Sequence, residues 1–260
     1  MSGKKRKERL TIANYKTINS EFFEIELVSD NNLPKMYPGQ FVEVLVEKNS
    51  EVFLRRPLSI HNVNYEKKTI HLLVQIVGSG TKSLASLCVG ESIDVIYPLG
   101  NSFNLMESGN ALLIGGGCGI APLLFLAKEL SLKGIKCDII IGARNKEFLL
   151  QTEEYKKYAN VHITTEDGSE GKKGYVIHHP VLWDETKHFN KIFTCGPEAM
   201  MKAVAKYAYK RDIECEVSLE NLMACGIGAC LCCVVKTTKG NVCTCTDGPV
   251  FNIDNLTWGH

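Results

Sequence analysis

Six of the eleven cysteines lie between Cys225 and Cys245, and their spacing could hold a metal centre. Cys225, Cys230 and Cys233 read C-x4-C-x2-C, and Cys245 follows after eleven intervening residues. A short loop giving three thiolates, closed by a distant fourth, is the ligand spacing of a plant-type [2Fe–2S] cluster. Gly226, Gly228 and the small Ala229 let such a loop come close and aim N–H groups at anionic sulfur. Structural zinc prefers two C-x2-C knuckles, and only one such pair has the right flank. Pairing Cys230 with Cys232 would give C-x-C, which matches no ferredoxin spacing, so Cys233 is the better ligand. Between Cys243 and Cys245 as the fourth ligand, spacing alone does not choose.

Three further segments could bind an anionic cofactor. Arg56, Pro57, Leu58 and Ser59 put a planar guanidinium fork suited to a pyrophosphate next to a hydroxyl able to bond a flavin ring nitrogen. Gly78, Gly80 and Thr81 in VGSGT make a glycine turn, which is either a phosphate contact or an ordinary hairpin. Gly115, Gly116, Gly117 and Gly119 form a loop before an apolar run, and Cys195-Gly196-Pro197 makes a second turn before another. The first loop is not the Rossmann fingerprint, because the third glycine of G-x-G-x-x-G would fall at Ile120. Both still set backbone N–H groups at a helix start, where a dinucleotide pyrophosphate is favoured.

The elements that must position these groups follow from periodicity. From residue 10 to 98, FFEIELVS, GQFVEVLVE, PLSIHNV, TIHLLVQIV and SIDVIY are short β-rich runs separated by turns, an antiparallel barrel. A short helix capped near Thr81 is the one expected interruption. From residue 110 the order becomes strand, glycine loop, helix: ALLIGG, then APLLFLAKELSLKG as an amphipathic helix, then strands CDIIIGAR, NVHITTED and KIFTCG. That alternation means a parallel, doubly wound sheet, with ligands at the carboxyl ends of its strands. The expected divisions are a barrel domain over 1–103, an α/β domain over 104–215 and a cluster domain over 216–260.

Charge is balanced, at 30 basic and 29 acidic residues, so nothing points to a nucleic-acid partner. The basic opening MSGKKRKERL has no apolar core after it and reads as a solvated arm, not a signal peptide. The longest apolar run is broken by four glycines and a proline, too short to span a bilayer. Many cysteines without an export signal fit a reducing cytoplasm. His178 and His179 read as solvated surface residues, Tyr207 and Tyr209 as half-buried packing. Neither a Ser–His–Asp set nor a carboxylate pair stands out, and no catalytic side chain is assigned.

Taken together, the R-P-L-S segment, GGGCGIAP, TCGPEAM and ENLMACGIGACLCC with DGPVF resemble the ferredoxin–NADP reductase superfamily. More closely, they resemble electron-transfer subunits of NAD-dependent (class 1B) dihydroorotate dehydrogenases, over nearly the whole chain. The resemblance implies FAD on the barrel, NAD on the α/β domain and one [2Fe–2S] cluster. By position, Arg56, Pro57, Leu58 and Ser59 would hold the flavin and its phosphates; Leu73, Val74 and Gln75 would line it; Gly80 and Thr81 would touch its pyrophosphate. The family's last ligand stands two residues before Asp-Gly-Pro-Val-Phe, which selects Cys245 and leaves Cys232 and Cys243 as extras. Plant-type reductases carry an aromatic residue where this chain has Leu58, so the flavin face is stacked differently. Glu166 and Asp167 replace the Ser-Arg pair that grips a 2′-phosphate, favouring NAD over NADP. The implied partner is an FMN-containing catalytic subunit, in a heterotetramer of two of each chain. A related alternative is the small subunit of an NADH-dependent ferredoxin:NADP oxidoreductase or a sulfide dehydrogenase. That family has aspartate at the first cluster position and DGPEF, against Cys225 and Val250 here. A non-catalytic iron–sulfur sensor is disfavoured by the flavin segments.

Overall fold

The computed structural model describes residues 4–258; residues 1–3 and 259–260, the outer ends of the expected first and third domains, lie outside the described residues. The chain forms two compact units. One holds the chain up to Ser102 with Asn221–Val235 and Val242–Pro249; the other holds Phe103–Glu220, Lys236–Asn241 and the chain from Val250 onward. The C-terminal residues thus contribute to both.

In the first unit the strands are β1 (Arg6–Thr17), β2 (Phe22–Val28), β3 (Phe41–Val44), β4 (Arg56–Ser59), β5 (Asn62–Asn64), β6 (Thr69–Gln75) and, after helix α1 (Ser79–Ala85), β7 (Ser92–Leu99). They form one antiparallel sheet, ordered β4-β3-β7-β1-β2-β6-β5. The sheet curls into a half-barrel, so β4 packs near β6 although the two share no ladder. Fully buried Leu10, Ile12, Phe23, Ile25, Leu27, Ile70, Leu72 and Val95 fill its inner side, as the two-residue alternation requires.

The basic opening is not a solvated arm from Arg6 onward. It is a strand in the middle of the sheet, paired with β7 on one side and β2 on the other. Its charges are matched: the Arg9 fork donates to Glu47 at 2.8 and 3.0 Å, Lys7 pairs with Asp94, and Glu8 accepts a bond from the Tyr97 hydroxyl. Helix α1 is capped at Gly78, not Thr81. The Thr81 hydroxyl, in the first turn, accepts the Val77 and Gly78 N–H groups at 2.9 and 3.2 Å.

The second unit contains β8 (Asn110–Gly116), α2 (Ala121–Leu132), β9 (Lys136–Ala143), α3 (Thr152–Tyr155), β10 (Asn160–Thr165), β11 (Lys172–Lys173), β12 (Lys191–Cys195), α4 (Glu198–Arg211) and β13 (Glu214–Ser218). After a two-stranded ribbon, β14 (Val234–Thr237) with β15 (Gly240–Cys243), β16 (Val250–Asn252) returns to the sheet edge. The order is β11-β10-β9-β8-β12-β13-β16, parallel except for β16. The chain winds outward from β8 through β9 and β10, then returns to β8's other side as β12. Strand order therefore reverses between β8 and β12, the switch point where a crevice opens past the strand ends.

Helix α2 is not the amphipathic helix expected. Ala121 through Ala127 are all buried, as is Leu130, so it is apolar nearly all round. Helix α4 does show a one-sided pattern, burying Met201, Val204, Ala205 and Ala208. Among the described residues no helix is long and apolar enough to cross a membrane.

Candidate iron–sulfur and dinucleotide sites

The cysteine loop belongs to the first unit and wraps as glycine chemistry dictates. Gly226 and Gly228 take φ of +67° and +83°, the left-handed region that a side chain disfavours. These turns aim amide groups inward. Ile227 N–H donates to Cys225 Sγ at 3.5 Å, Gly228 N–H to Cys245 Sγ at 3.2 Å, Cys232 N–H to Cys230 Sγ at 3.5 Å and Cys245 N–H to Cys233 Sγ at 3.4 Å. All four expected ligands thus accept a backbone N–H. Cys243 is engaged differently: its own N–H goes to Asp247 Oδ2 at 3.0 Å, and its thiol faces Cys233.

The electrostatics of the loop suit a cationic centre. Partial burial opposes ionisation of Cys225, yet the amides of Ile227, Cys230 and Ala229 outweigh it and draw the thiol down to about 6. Deeper in the loop, burial first and then the Cys233 thiol push Cys245 up to about 12. Crowded thiols cannot all ionise together unless positive charge sits among them, and iron supplies it. Among the described residues no three His, Cys, Asp or Glu side chains converge on a single ion position. The sulfurs are arrayed around a loop, and the donor set fits a thiolate-held cluster.

The loop is fastened to the curled sheet. Phe41, Leu99 and Met223 pack with Cys233, Cys243 and Cys245 in one buried cluster. Asn221 Nδ2 donates to Cys233 O at 3.1 Å and to Thr244 Oγ1 at 3.3 Å. Gly100, at φ +73°, lies so close to Pro249 that a Cβ there would stand 2.5 Å from the ring. Nothing in the cysteine spacing announces Asn221 or Gly100.

On the same unit, Arg56–Ser59 is β4, and all four residues are half-buried. The Arg56 guanidinium lies over Gly80: a Cβ on Gly80 would meet Nε at 2.4 Å. The R-P-L-S segment and the VGSGT turn are therefore brought together, and the glycine is what lets the arginine lie across it. Leu73 and Val74 are core side chains of β6, while Gln75 is half-buried at the strand end, its amide donating to Glu21 at 3.3 Å. The residues present fit an anionic cofactor along β4: an arginine fork, a hydroxyl and a close-approach glycine in one patch.

In the second unit the two glycine turns meet at the switch point. A Cβ on Gly119 would fall 2.3 Å from Gly196 Cα and 2.4 Å from Cys195 O, and one on Gly116 would reach Met200 Sδ at 2.7 Å. Gly117, at φ +55°, faces open space. Tyr155 donates its hydroxyl to Ile120 O at 2.5 Å and pins the loop from below. Cys195 is buried in the turn, and that burial holds its thiol well above the ordinary range. Past β10, Asp167 Oδ1 accepts the Ser169 N–H and hydroxyl at 2.9 and 2.6 Å, which keeps this exposed carboxyl below its usual range. The sequence reading passed over Arg144, whose guanidinium sits 4.3 Å from the Phe148 ring and whose carbonyl accepts the Asp167 N–H.

Two minor expectations need amending. His179 is not simply solvated. Burial first, then the charges of His162, Lys172 and Lys187, lower it to about 4, and its ring lies 4.9 Å from that of His162. Tyr207 is buried beyond half, its hydroxyl donating to Leu182 O at 2.6 Å; Tyr209 is half-buried as expected.

A curled antiparallel sheet bearing an arginine–glycine anion patch, a parallel sheet with paired glycine turns and a four-thiolate loop define a ferredoxin-reductase-type flavin and iron–sulfur oxidoreductase. Comparison with known proteins narrows this. Residues 220–257 match the iron–sulfur cluster binding domain of dihydroorotate dehydrogenase B, and residues 113–206 the oxidoreductase NAD-binding domain. The dihydroorotate dehydrogenase B (NAD(+)) electron transfer subunit of Lysinibacillus sphaericus is 38% identical over 257 residues, 95% of this chain and 96% of that one. The Fusobacterium nucleatum subunit of the same name is 39% identical, covering 82% of this chain and 84% of the relative. Among solved structures, an NADH-dependent reduced ferredoxin–NADP oxidoreductase superposes with a TM-score of 0.87 at 32% identity, over 96% of this chain and 90% of that one. The chain belongs to the family of dihydroorotate dehydrogenase B (NAD(+)) electron transfer subunits.

Proposed function

We propose that this chain carries electrons from a dihydroorotate-oxidising catalytic subunit to NAD⁺, in the synthesis of pyrimidine nucleotides. The observation that carries this reading is the backbone N–H donated to each of four cysteine sulfurs in one loop. Cys225, Cys230, Cys233 and Cys245 would hold the [2Fe–2S] cluster. Arg56, Pro57, Leu58, Ser59, Gly80 and Thr81 would hold FAD, with Leu73, Val74 and Gln75 beside it. Gly115, Gly116, Gly117, Gly119, Cys195, Gly196 and Pro197 would receive NAD. The division into 1–103, 104–215 and 216–260 assigns one cofactor to each part.

When bound, the cluster supplies single-electron transfer and the flavin converts that into the hydride exchange nicotinamide requires. This chain's part is to bind and orient. The Arg56 fork matches a pyrophosphate bidentately, and the backbone amides of the cysteine loop donate to the four sulfurs that would hold the cluster. No residue here is assigned as a base toward dihydroorotate, so that step falls to an FMN-bearing partner, in a heterotetramer of two of each chain in the cytoplasm.

The test is cofactor analysis of anaerobically purified chain. Denaturation should release FAD, with two iron atoms and two acid-labile sulfides per chain. Stoichiometric FMN, or a four-cysteine loop loaded with zinc in place of iron, would contradict the reading. The likeness to the ferredoxin–NADP oxidoreductase favours the same modules but a different partner. Cys225 and Val250, where that group carries aspartate and glutamate, argue for the first assignment.

A further inference from the structure

Glu43 stands within β3, fully buried between Val42 and Val44, and neither of its carboxyl oxygens has a hydrogen-bond partner among the described residues. It lies under the cysteine loop. A Cβ on Gly226 would sit 2.7 Å from Glu43 Cγ and 2.9 Å from Oε1, and Gly226 directly follows Cys225. The cations nearby are spent elsewhere. Arg55 donates to the Glu43 backbone carbonyl at 3.2 Å and to both the carbonyl and the carboxylate of Asp94, and Arg56 donates to Arg55 O and lies over Gly80.

A deeply buried carboxyl with no donor or contacting cation among the described residues holds its proton, because burying the ion unpaired costs more than binding a proton. Burial drives its pKa up; Arg55 and Arg56 offset part of that rise and Cys225 adds to it. A protonated carboxyl is a donor as well as an acceptor, and a buried O–H needs somewhere to go. Hydrogen bonds to the sulfurs are among the features that set an iron–sulfur potential.

We propose that Glu43 is a tuning residue of the iron–sulfur centre: beneath Gly226, its neutral carboxyl gives its O–H to the sulfurs the cysteine loop encloses and raises the reduction potential. This rests on the cluster reading above. Glu43 touches no substrate and acts through the centre's electronics.

The test compares the full chain as wild type, E43Q and E43L, by EPR-monitored redox titration at pH 6. E43Q keeps a neutral donor and should leave the reduced-to-oxidised ratio at a fixed potential within about twofold of wild type. E43L removes the donor and should lower that ratio about tenfold, equivalent to about 59 mV for one electron. Wild-type behaviour of E43L, or an E43Q ratio about tenfold above wild type, which would mark a buried anion, overturns the proposal. If E43L fails to load iron, E43M, which also lacks a donor but keeps the length of the side chain, takes its place with the same expected tenfold drop and the same contradicting result. A wild-type chain lacking any [2Fe–2S] signal would be the separate failure of the cluster reading.

Discussion

Gly119 and Gly196 meet backbone to backbone, so closely that a Cβ on the first would lie 2.3 Å from the Cα of the second. This contact joins the turn after β8 to the turn after β12, at the point where the parallel sheet reverses its strand order. Gly119→Ala should therefore push the two turns apart. Overpacking of this kind costs about 1–3 kcal/mol. The expected outcome is a lower melting temperature and a raised KM for NADH with an artificial acceptor. An unchanged KM would show that the paired turns do not shape the nucleotide site.

The two candidate fourth ligands separate cleanly by mutation. Cys245 Sγ accepts the Gly228 N–H, whereas Cys243 is turned toward Asp247 and Cys233. Cys245→Ser should abolish the [2Fe–2S] absorption and the reduced-state EPR signal. Cys243→Ser and Cys232→Ser should leave both largely intact, because neither removes an iron ligand. The reverse pattern would make Cys243 the ligand.

NADH should reduce the flavin far faster than NADPH. Glu166 and the ionised Asp167 follow β10, and like charge beside a 2′-phosphate disfavours it. Arg144 stands near the same turn, its guanidinium resting on Phe148, and its charge would oppose this discrimination. The measurement is the ratio of kcat/KM for the two nucleotides, and comparable values would mean that Arg144, not the acidic pair, dominates.

Much of this arrangement was readable from residue spacing. The cysteine loop, the glycine turns and most strands lie within a residue or two of where the periodicity places them. What spacing hides is anything fixed by a distant segment. Strand β1 begins in a run of lysines and arginines, and it becomes a central strand because Glu47, Asp94 and Tyr97, far along the chain, answer its polar side chains. Strand β16 is three residues long and exists only by pairing with β13. Helix α2 reads as amphipathic, but its first seven residues are all buried, Lys128 and Glu129 are half-buried, and exposure is confined to Ser131 and Leu132 at its end. Glu43 gave one faint sign, a lone carboxylate in an apolar strand; its lack of a partner is visible only once Gly226 is laid against it.

The central claim is that this chain relays electrons and does not itself oxidise dihydroorotate. Its cysteine loop would then be the port to a partner. The direct measurement is dihydroorotate:NAD⁺ activity of the isolated chain, of the chain mixed with the FMN-bearing catalytic subunit, and of a Cys225→Ser chain in the same mixture. The isolated chain should oxidise NADH with an artificial acceptor and show no dihydroorotate turnover. The mixture should gain dihydroorotate:NAD⁺ activity, and the Cys225→Ser chain should bind the partner without restoring it. Dihydroorotate turnover by the isolated chain, or full activity of a complex lacking the cluster, would contradict the relay.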